Sequence, residues 1–391
     1  MEKVEGKLEG KADRMKGLIL SGGKGTRLRP LTYTRAKQLL PLANKPVLFY
    51  AIEALVAAGI REIGIVVGDT HLEIEAAVAE SQYPSDDLTI TFIRQEAPLG
   101  LAHAVKTAQP FLGADKFVMF LGDNLIGESL AARVREFAAP DCTYRSYILL
   151  HEVEDPSQFG IAELEPVPVL ATRRGDTSPA RVRVRRLVEK PANPPSNLAL
   201  VGVYFFDATI HEAVGSIAPS ARGELEITDA IQWLIDHGYE VCAQRLSGYW
   251  IDTGKMEDIL DANRQVLLGL APAVAPSATI SQTSSLSGTV VVQDGAVIEH
   301  SVIRGPAIIG ERAVIRNAYI GPFTSIYHDA VLEACEVEYS VVLEHSRICG
   351  VQGRIEESLI GRHAEVHTSP RKPRSHRLML GDHSRVDVVS S

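Results

Sequence analysis

The sequence predicts an α/β domain with a mostly parallel sheet, followed by a left-handed parallel β-helix. Three observations predict this. Short apolar runs alternate with segments of helical spacing through the first half of the chain. A run rich in alanine and proline, Ala271 to Pro276, then interrupts the pattern. Beyond it, apolar residues recur every six positions.

Gly17 to Leu20 form a buried strand that runs into Ser21 to Gly23. Val47 to Ala58 carry apolar residues at helical spacing, and Gly59 closes that helix at its C-terminus. Ile63 to Val67 give the next strand, His71 to Glu80 a helix, and Thr89 to Ile93 an alternating strand. Leu101 to Ala108 are helical, and Phe117 to Leu121 form another buried strand. This β-α-β-α order implies parallel strands with helices on both faces. The stretch from Asp141 to Leu246 is less regular, with strands at Arg145–Leu150 and Leu200–Phe206 and proline-rich loops near Pro166–Pro168 and Pro191–Pro195. It reads as an extension of the same domain, closed by a helix from Met256 to Leu268.

In the last third, Val302, Ile308, Val314, Ile320, Ile326 and Leu332 lie six apart. Val297, Ile303, Ile309 and Ile315 form a second register one residue away; Val342, Ile348, Ile360 and Val366 keep the period after a phase shift. Neither helical nor strand periodicity gives six. A β-helix with three six-residue flats per coil does, each flat sending one apolar residue inward. Coils of about 18 residues allow four or five turns. The boundaries expected are a flexible extension over 1–14, an α/β domain over 15–268, a linker over 269–285, the β-helix over 286–369 and a tail over 370–391.

The 391 residues are enough for two or three domains, and 45% hydrophobic with 23% charged residues is ordinary for a globular chain. A net charge of −9 argues against a nucleic acid polymer as partner. It leaves room for small anions met by local cations. Cys142, Cys242, Cys335 and Cys349 are scattered without a CxxC pair, as expected of reduced thiols in the cytoplasm. No apolar run approaches the roughly 18 residues of a membrane span, and the first residues lack the apolar core of a secretion signal.

The segment LSGGKGTRLRP, Leu20 to Pro30, carries the strongest chemical signal. Its glycines let the backbone approach a ligand and aim N–H groups at phosphate oxygens. It matches neither GxxxxGK[ST] nor GxGxxG. Arg27 offers a fork of donors to a phosphate undergoing substitution. In RAKQLLPLANKP, Arg35 to Pro46, Lys37 shares the loop with Arg27, so both cations can serve one phosphate chain.

From Gly22 to Pro46 the chain resembles the sugar-1-phosphate nucleotidylyltransferases, most closely the members that pair dTTP with glucose 1-phosphate. Ala36 stands where that family usually has proline, which loosens the loop without removing Lys37. The resemblance runs from about residue 15 to 268 and implies a Rossmann-like nucleotidyltransferase domain. It implies nucleotide binding by Leu20, Gly22, Gly23, Gly25 and Thr26 together with Gln95, Pro98 and Gly100. Gln95 matches the side chain that reads the pyrimidine edge, and Gly100 the residue that leaves room for the ring; the same segment can also cap a helix. Asp123, in LGDN, ends a buried strand, where α/β sheets bind ligands and a metal could be held. Asp123 could alternatively cap a helix after Ile126.

Gly160, Glu189, Lys190, Val201, Tyr204, Glu226, Thr228 and Trp250 match sugar-phosphate positions, in FGI, EKP, VGVY, GELEITD and YWIDTG. Trp250 could instead serve the core. Asp252 matches the second carboxylate of a Mg²⁺ site with Asp123, and Arg27, Lys37 and Lys190 the catalytic cations. The C-terminal repeat resembles the β-helix of the longer members. The activity implied joins a sugar 1-phosphate to dTTP, or to UTP, and releases pyrophosphate, in a homo-oligomer. Two further readings are an added acyl transfer in the β-helix, using one of His300, His345, His363 and His367, and a non-catalytic regulatory subunit that binds a sugar nucleotide.

Overall fold

The computed structural model describes residues 15–81, 83, 87–165, 182–368 and 378–387. The expectations for 1–14, for the loop near Pro166–Pro168 and for most of the tail from 370 lie outside the described residues. The chain divides into two compact units. The first holds the chain up to Gly23 and Leu48–Asp252; the second holds Lys24–Val47 and the chain from Thr253 onward.

The first unit is built on a nine-stranded sheet. Its strands are β1 (Lys16–Ser21), β2 (Glu62–Val67), β3 (Thr89–Arg94), β4 (Phe117–Leu121), β6 (Ser146–Glu152), β7 (Gly160–Leu164), β8 (Val182–Glu189), β9 (Leu198–Phe206) and β10 (Val241–Arg245), in the order β3-β2-β1-β4-β9-β6-β10-β8-β7. A separate ribbon pairs β5 (Asn124–Ile126) with β11 (Trp250–Asp252). The parallel character resides in β3-β2-β1-β4 and in the β10–β6 pair. Strand β9 runs antiparallel to both of its main neighbours, β4 and β6, and all nine of its residues are buried. A strand flanked on both edges and both faces must be apolar throughout, which is why Leu198 to Phe206 reads as one unbroken hydrophobic run.

Helices α1 (Val47–Ala57), α2 (His71–Ala79), α3 (Leu101–Thr107), α4 (Ala131–Ala138), α5 (Thr209–Ser216) and α6 (Ile227–Asp236) accompany the sheet. One core joins α3, α5 and α6 to the strands through Val105, Phe117, Phe206, Ile210, Ile231 and Leu234. Gly59 has φ +95, the left-handed geometry that ends α1.

The second unit contains α7 (Met256–Leu268) and three parallel sheets of six, six and five short strands. This is the left-handed parallel β-helix expected from the repeat, with one correction. It begins earlier than residue 286: Ala273–Val274 and Thr279–Ile280 already pair in register with Val291–Val292 and Val297–Ile298. Coil length varies about the expected value: Val297, Val314 and Val331 stack directly 17 residues apart, Arg347 follows Val331 by 16, and Glu365 follows Arg347 by 18. In each 17-residue coil one flat is a residue short, so the inward position moves between registers. Ile303, Ile309 and Ile315 from one register and Ile320, Ile326 and Leu332 from the other are all fully buried. Val302 is 39% exposed and points away from that core. Corners take left-handed backbone at His300, His345 and His363, so these histidines sit at turns of the coil.

Candidate functional site

The carboxyl ends of the parallel strands collect several of the residues singled out in the sequence. Strands β1 and β4 are neighbours in parallel register, with Leu20 opposite Leu121, so Gly22 and Asp123 leave the sheet from the same edge. Gln95 follows β3 at that edge and is held there by its N–H, which donates to the Val67 carbonyl at 2.9 Å. A side chain on Gly22 would meet the Gln95 Oε1 atom at 3.2 Å. The Gln95 amide donates to the Gly100 carbonyl at 3.3 Å and lies 3.0 Å from His103 Nδ1. Burial and the neighbouring Lys106 hold the His103 imidazole below its ordinary pKa, so it is neutral and able to accept that bond. Pro98 is exposed.

At φ +104 the missing Cβ of Gly100 would fall 2.4 Å from the Leu225 carbonyl oxygen, so the space there is filled by the backbone of the GELEITD segment. Leu225 donates to Leu99 O and accepts from Ala102 N, which locks the two segments together. Gly100 also occupies the position before α3 with no side-chain cap, so Gln95 does not cap that helix.

Asp123 is followed by a strand, not a helix, and the next helix begins only at Ala131; the helix-capping alternative fails. Asp123 is buried and accepts from Asn124 Nδ2 at 3.1 Å. Strand β11 runs antiparallel to β5 with Asp252 directly opposite Asn124. Asp252 is thus brought beside the Asp123–Asn124 segment, although the two lie far apart in sequence. Trp250 donates from Nε1 to Asn124 Oδ1 at 2.6 Å and packs edge-on against Phe159. The half-buried Trp250 thus orients Asn124 and is not a core residue.

Glu189 ends β8 opposite Gly160 on β7, and Thr228 donates to its carboxylate at 3.1 Å. Tyr204 is buried on β9, and its phenol is pushed up by burial and then by the Glu189 and Asp252 carboxylates. Val201, by contrast, is fully buried and offers no exposed side chain. Lys190 has φ +40, a costly conformation for a residue with a Cβ. It is held by its N–H to Phe159 O at 3.0 Å, and its exposed ammonium lies 3.8 Å from Glu189.

Glu226 is 4% exposed and accepts from Ser220 Oγ at 2.8 Å. Burial raises its carboxyl pKa, and Glu189 adds to the rise. Arg222 lies 3.5 Å from Glu189 and 3.4 Å from Glu226 and partly offsets that charge. Asn124, His103 and Arg222 were not singled out in the sequence. The first two sit within or beside quoted motifs, and Arg222 immediately precedes GELEITD.

Gly25, Thr26, Arg27 and Lys37 belong to the second unit. Gly25 has φ +61, and a Cβ there would lie 2.9 Å from Lys37 Cβ. Thr32 donates to the Gly25 carbonyl at 2.7 Å. The loop is therefore folded so that the Arg27 turn and Lys37 flank one glycine, with Thr26 and Arg27 exposed.

A glycine turn, with Asp123 and the Asn124–Ile126 ribbon beside it at the carboxyl ends of the strands of an α/β sheet, marks the domain of a nucleotide-handling transferase, here followed by a hexapeptide β-helix. The chain belongs to the nucleotidyl transferase family, whose model matches residues 16–298. It is 50% identical over 378 residues to a glucose-1-phosphate thymidylyltransferase of Streptomyces griseus, across 96% of this chain and 100% of the relative. The glucose-1-phosphate thymidylyltransferase of Streptomyces antibioticus is 49% identical, again over 96% of this chain and all of that one. A crystal structure of a putative glucose-1-phosphate thymidylyltransferase from Bacillus anthracis, in complex with a sucrose, is 32% identical with a TM-score of 0.55. It covers 64% of this chain and 94% of its own. No described helix is long and apolar enough to cross a membrane.

Proposed function

We infer that this chain is a glucose-1-phosphate thymidylyltransferase, joining dTTP to glucose 1-phosphate and releasing pyrophosphate. Similarity along the whole length to two thymidylyltransferases supports the substrate pair. The observation that carries the chemistry is the placement of Asp252 opposite Asn124, one residue from Asp123. Two carboxylates on one ribbon are an oxygen-only donor set, which suits a divalent cation and Mg²⁺ in particular, since Mg²⁺ takes one or two carboxylates and fills its shell with water and phosphate oxygens. Bound there, the ion would neutralise phosphate charge.

The reaction forms a bond between the sugar phosphate oxygen and the α-phosphorus of the triphosphate. The bond from the α-phosphorus to the α–β bridging oxygen breaks, and its electron pair leaves with pyrophosphate. The attacking phosphate is already largely ionised near neutral pH, so no base is required. We assign Arg27, Lys37 and Lys190 to binding phosphate oxygens, with the turn from Leu20 to Thr26 supplying backbone donors. Gln95, oriented by His103, would read the base. Glu189, with Thr228 donating to it, and Glu226 are the groups proposed to accept from sugar hydroxyls. Catalysis then rests on positioning and preorganised charge.

The test is a panel of dTTP, UTP, ATP, GTP and CTP against glucose 1-phosphate and its epimers, with pyrophosphate release as the readout. Strongest release from dTTP with glucose 1-phosphate is expected. Release with UTP alone would reassign the base, and none with any pair would end the reading.

A further inference from the structure

Within the second unit, the loop bearing Arg27 and Lys37 is seated on the β-helix by a set of specific bonds. Arg35, two positions before Lys37, donates to Glu344 through two nitrogens, at 2.5 and 3.3 Å, across 309 positions of sequence. Glu344 is 5% exposed. Arg362 donates to the Thr34 carbonyl. Asn44 donates to Ile326 O at 2.8 Å and to Gln293 at 3.3 Å. The fully buried Asn263 of α7 accepts from Ala43 N at 2.9 Å and from Ser325 Oγ at 2.7 Å, and donates to Phe323 O at 3.2 Å. Ile308, on the outer face of a coil, is buried against Ala43 and Leu267.

These bonds carry more positional information than a hydrophobic seat would. A forked guanidinium–carboxylate pair is satisfied in one geometry only, and withdrawing one partner leaves the other charge in a poor environment. The loop is fixed on both sides of Lys37, at Thr34–Arg35 and at Ala43–Asn44.

We propose, resting on the transfer reaction inferred above, that the β-helix positions the phosphate-handling loop, with Arg35 and Glu344 as positioning residues that set turnover. Neither touches substrate in this scheme. They act through the backbone that carries Arg27 and Lys37.

The full-length chain tests this with Arg35→Met, Glu344→Met, the double variant and Arg362→Ala. Each methionine variant is expected to lower kcat for pyrophosphate release at least tenfold, and the double variant to fall no further than the worse single one, because both remove one constraint. Arg362→Ala, which deletes a single bond, is expected to lose about fivefold and guards against a methionine variant that does not fold. Hydrogen exchange is the second readout: amides of residues 24–40 should exchange faster in every variant, while Ile303 to Ile326 stay protected. Losses that multiply in the double variant, or loop exchange unchanged in all variants, would overturn the proposal, as would faster loop exchange at undiminished kcat. Because exchange needs no substrate, a wild-type chain that releases no pyrophosphate would defeat the transfer reading separately, with the seating still measurable.

Discussion

Asp252 stands directly opposite Asn124 in a three-residue antiparallel ribbon, and Asn124 is the neighbour of Asp123. Removing either charge without changing shape tests whether the ribbon holds a cation. Asp123→Asn and Asp252→Asn are each expected to lower kcat by about 10²–10³, the usual cost of one preorganised electrostatic group. The circular dichroism spectrum should be unchanged. Chelating divalent ions should abolish turnover of the wild type, and added Mg²⁺ should restore it. A variant at more than half the wild-type rate would remove its residue from the site.

Trp250 holds the Asn124 side chain by one hydrogen bond. Trp250→Phe keeps a ring against Phe159 and deletes the donor. The expected result is a fall in kcat of roughly fivefold, the worth of one hydrogen bond of about 1 kcal/mol. Steady-state kinetics with both substrates checks it.

His103 accepts from Gln95 only while neutral. Its folded pKa lies below the ordinary histidine value because of burial and Lys106. The bond is therefore intact above the ordinary value and is lost as pH falls through the lowered one. The KM for the triphosphate is expected to rise on that acid limb, and in His103→Ala to be raised and flat across it. A wild-type KM that stays constant over the same range would separate His103 from base reading.

Gly100 is required by packing. Gly100→Ala places a Cβ 2.4 Å from Leu225 O at φ +104. A loss of about 1–3 kcal/mol in unfolding free energy is expected. Urea denaturation followed by fluorescence measures it, and an unchanged midpoint would show that the Leu225 segment yields freely.

In the β-helix, Ile320→Ala removes a fully buried side chain from the inward row. It should cost about 2–5 kcal/mol. The exposed Val302→Ala should cost well under 1 kcal/mol. Equal effects in denaturation would contradict the assignment of the inward register.

The sequence by itself determined the element order, the six-residue repeat and the motif residues, because these depend on periodicity and on local chemistry that neighbours in the chain dictate. Strands from Lys16–Ser21 to Phe117–Leu121 and the helix Met256–Leu268 were legible for that reason. Only the tertiary structure decided that β9 reverses direction inside the sheet and that Gly100 makes room for Leu225. It alone also decided which of two registers faces inward in each coil, and that Arg35 finds Glu344. Each of those rests on contacts between residues far apart in the chain, where partner and direction are set by which surfaces close against each other. A one-residue shortening of a coil leaves the apolar spacing readable yet turns a different side chain to the core, so the period could be read where the facing could not.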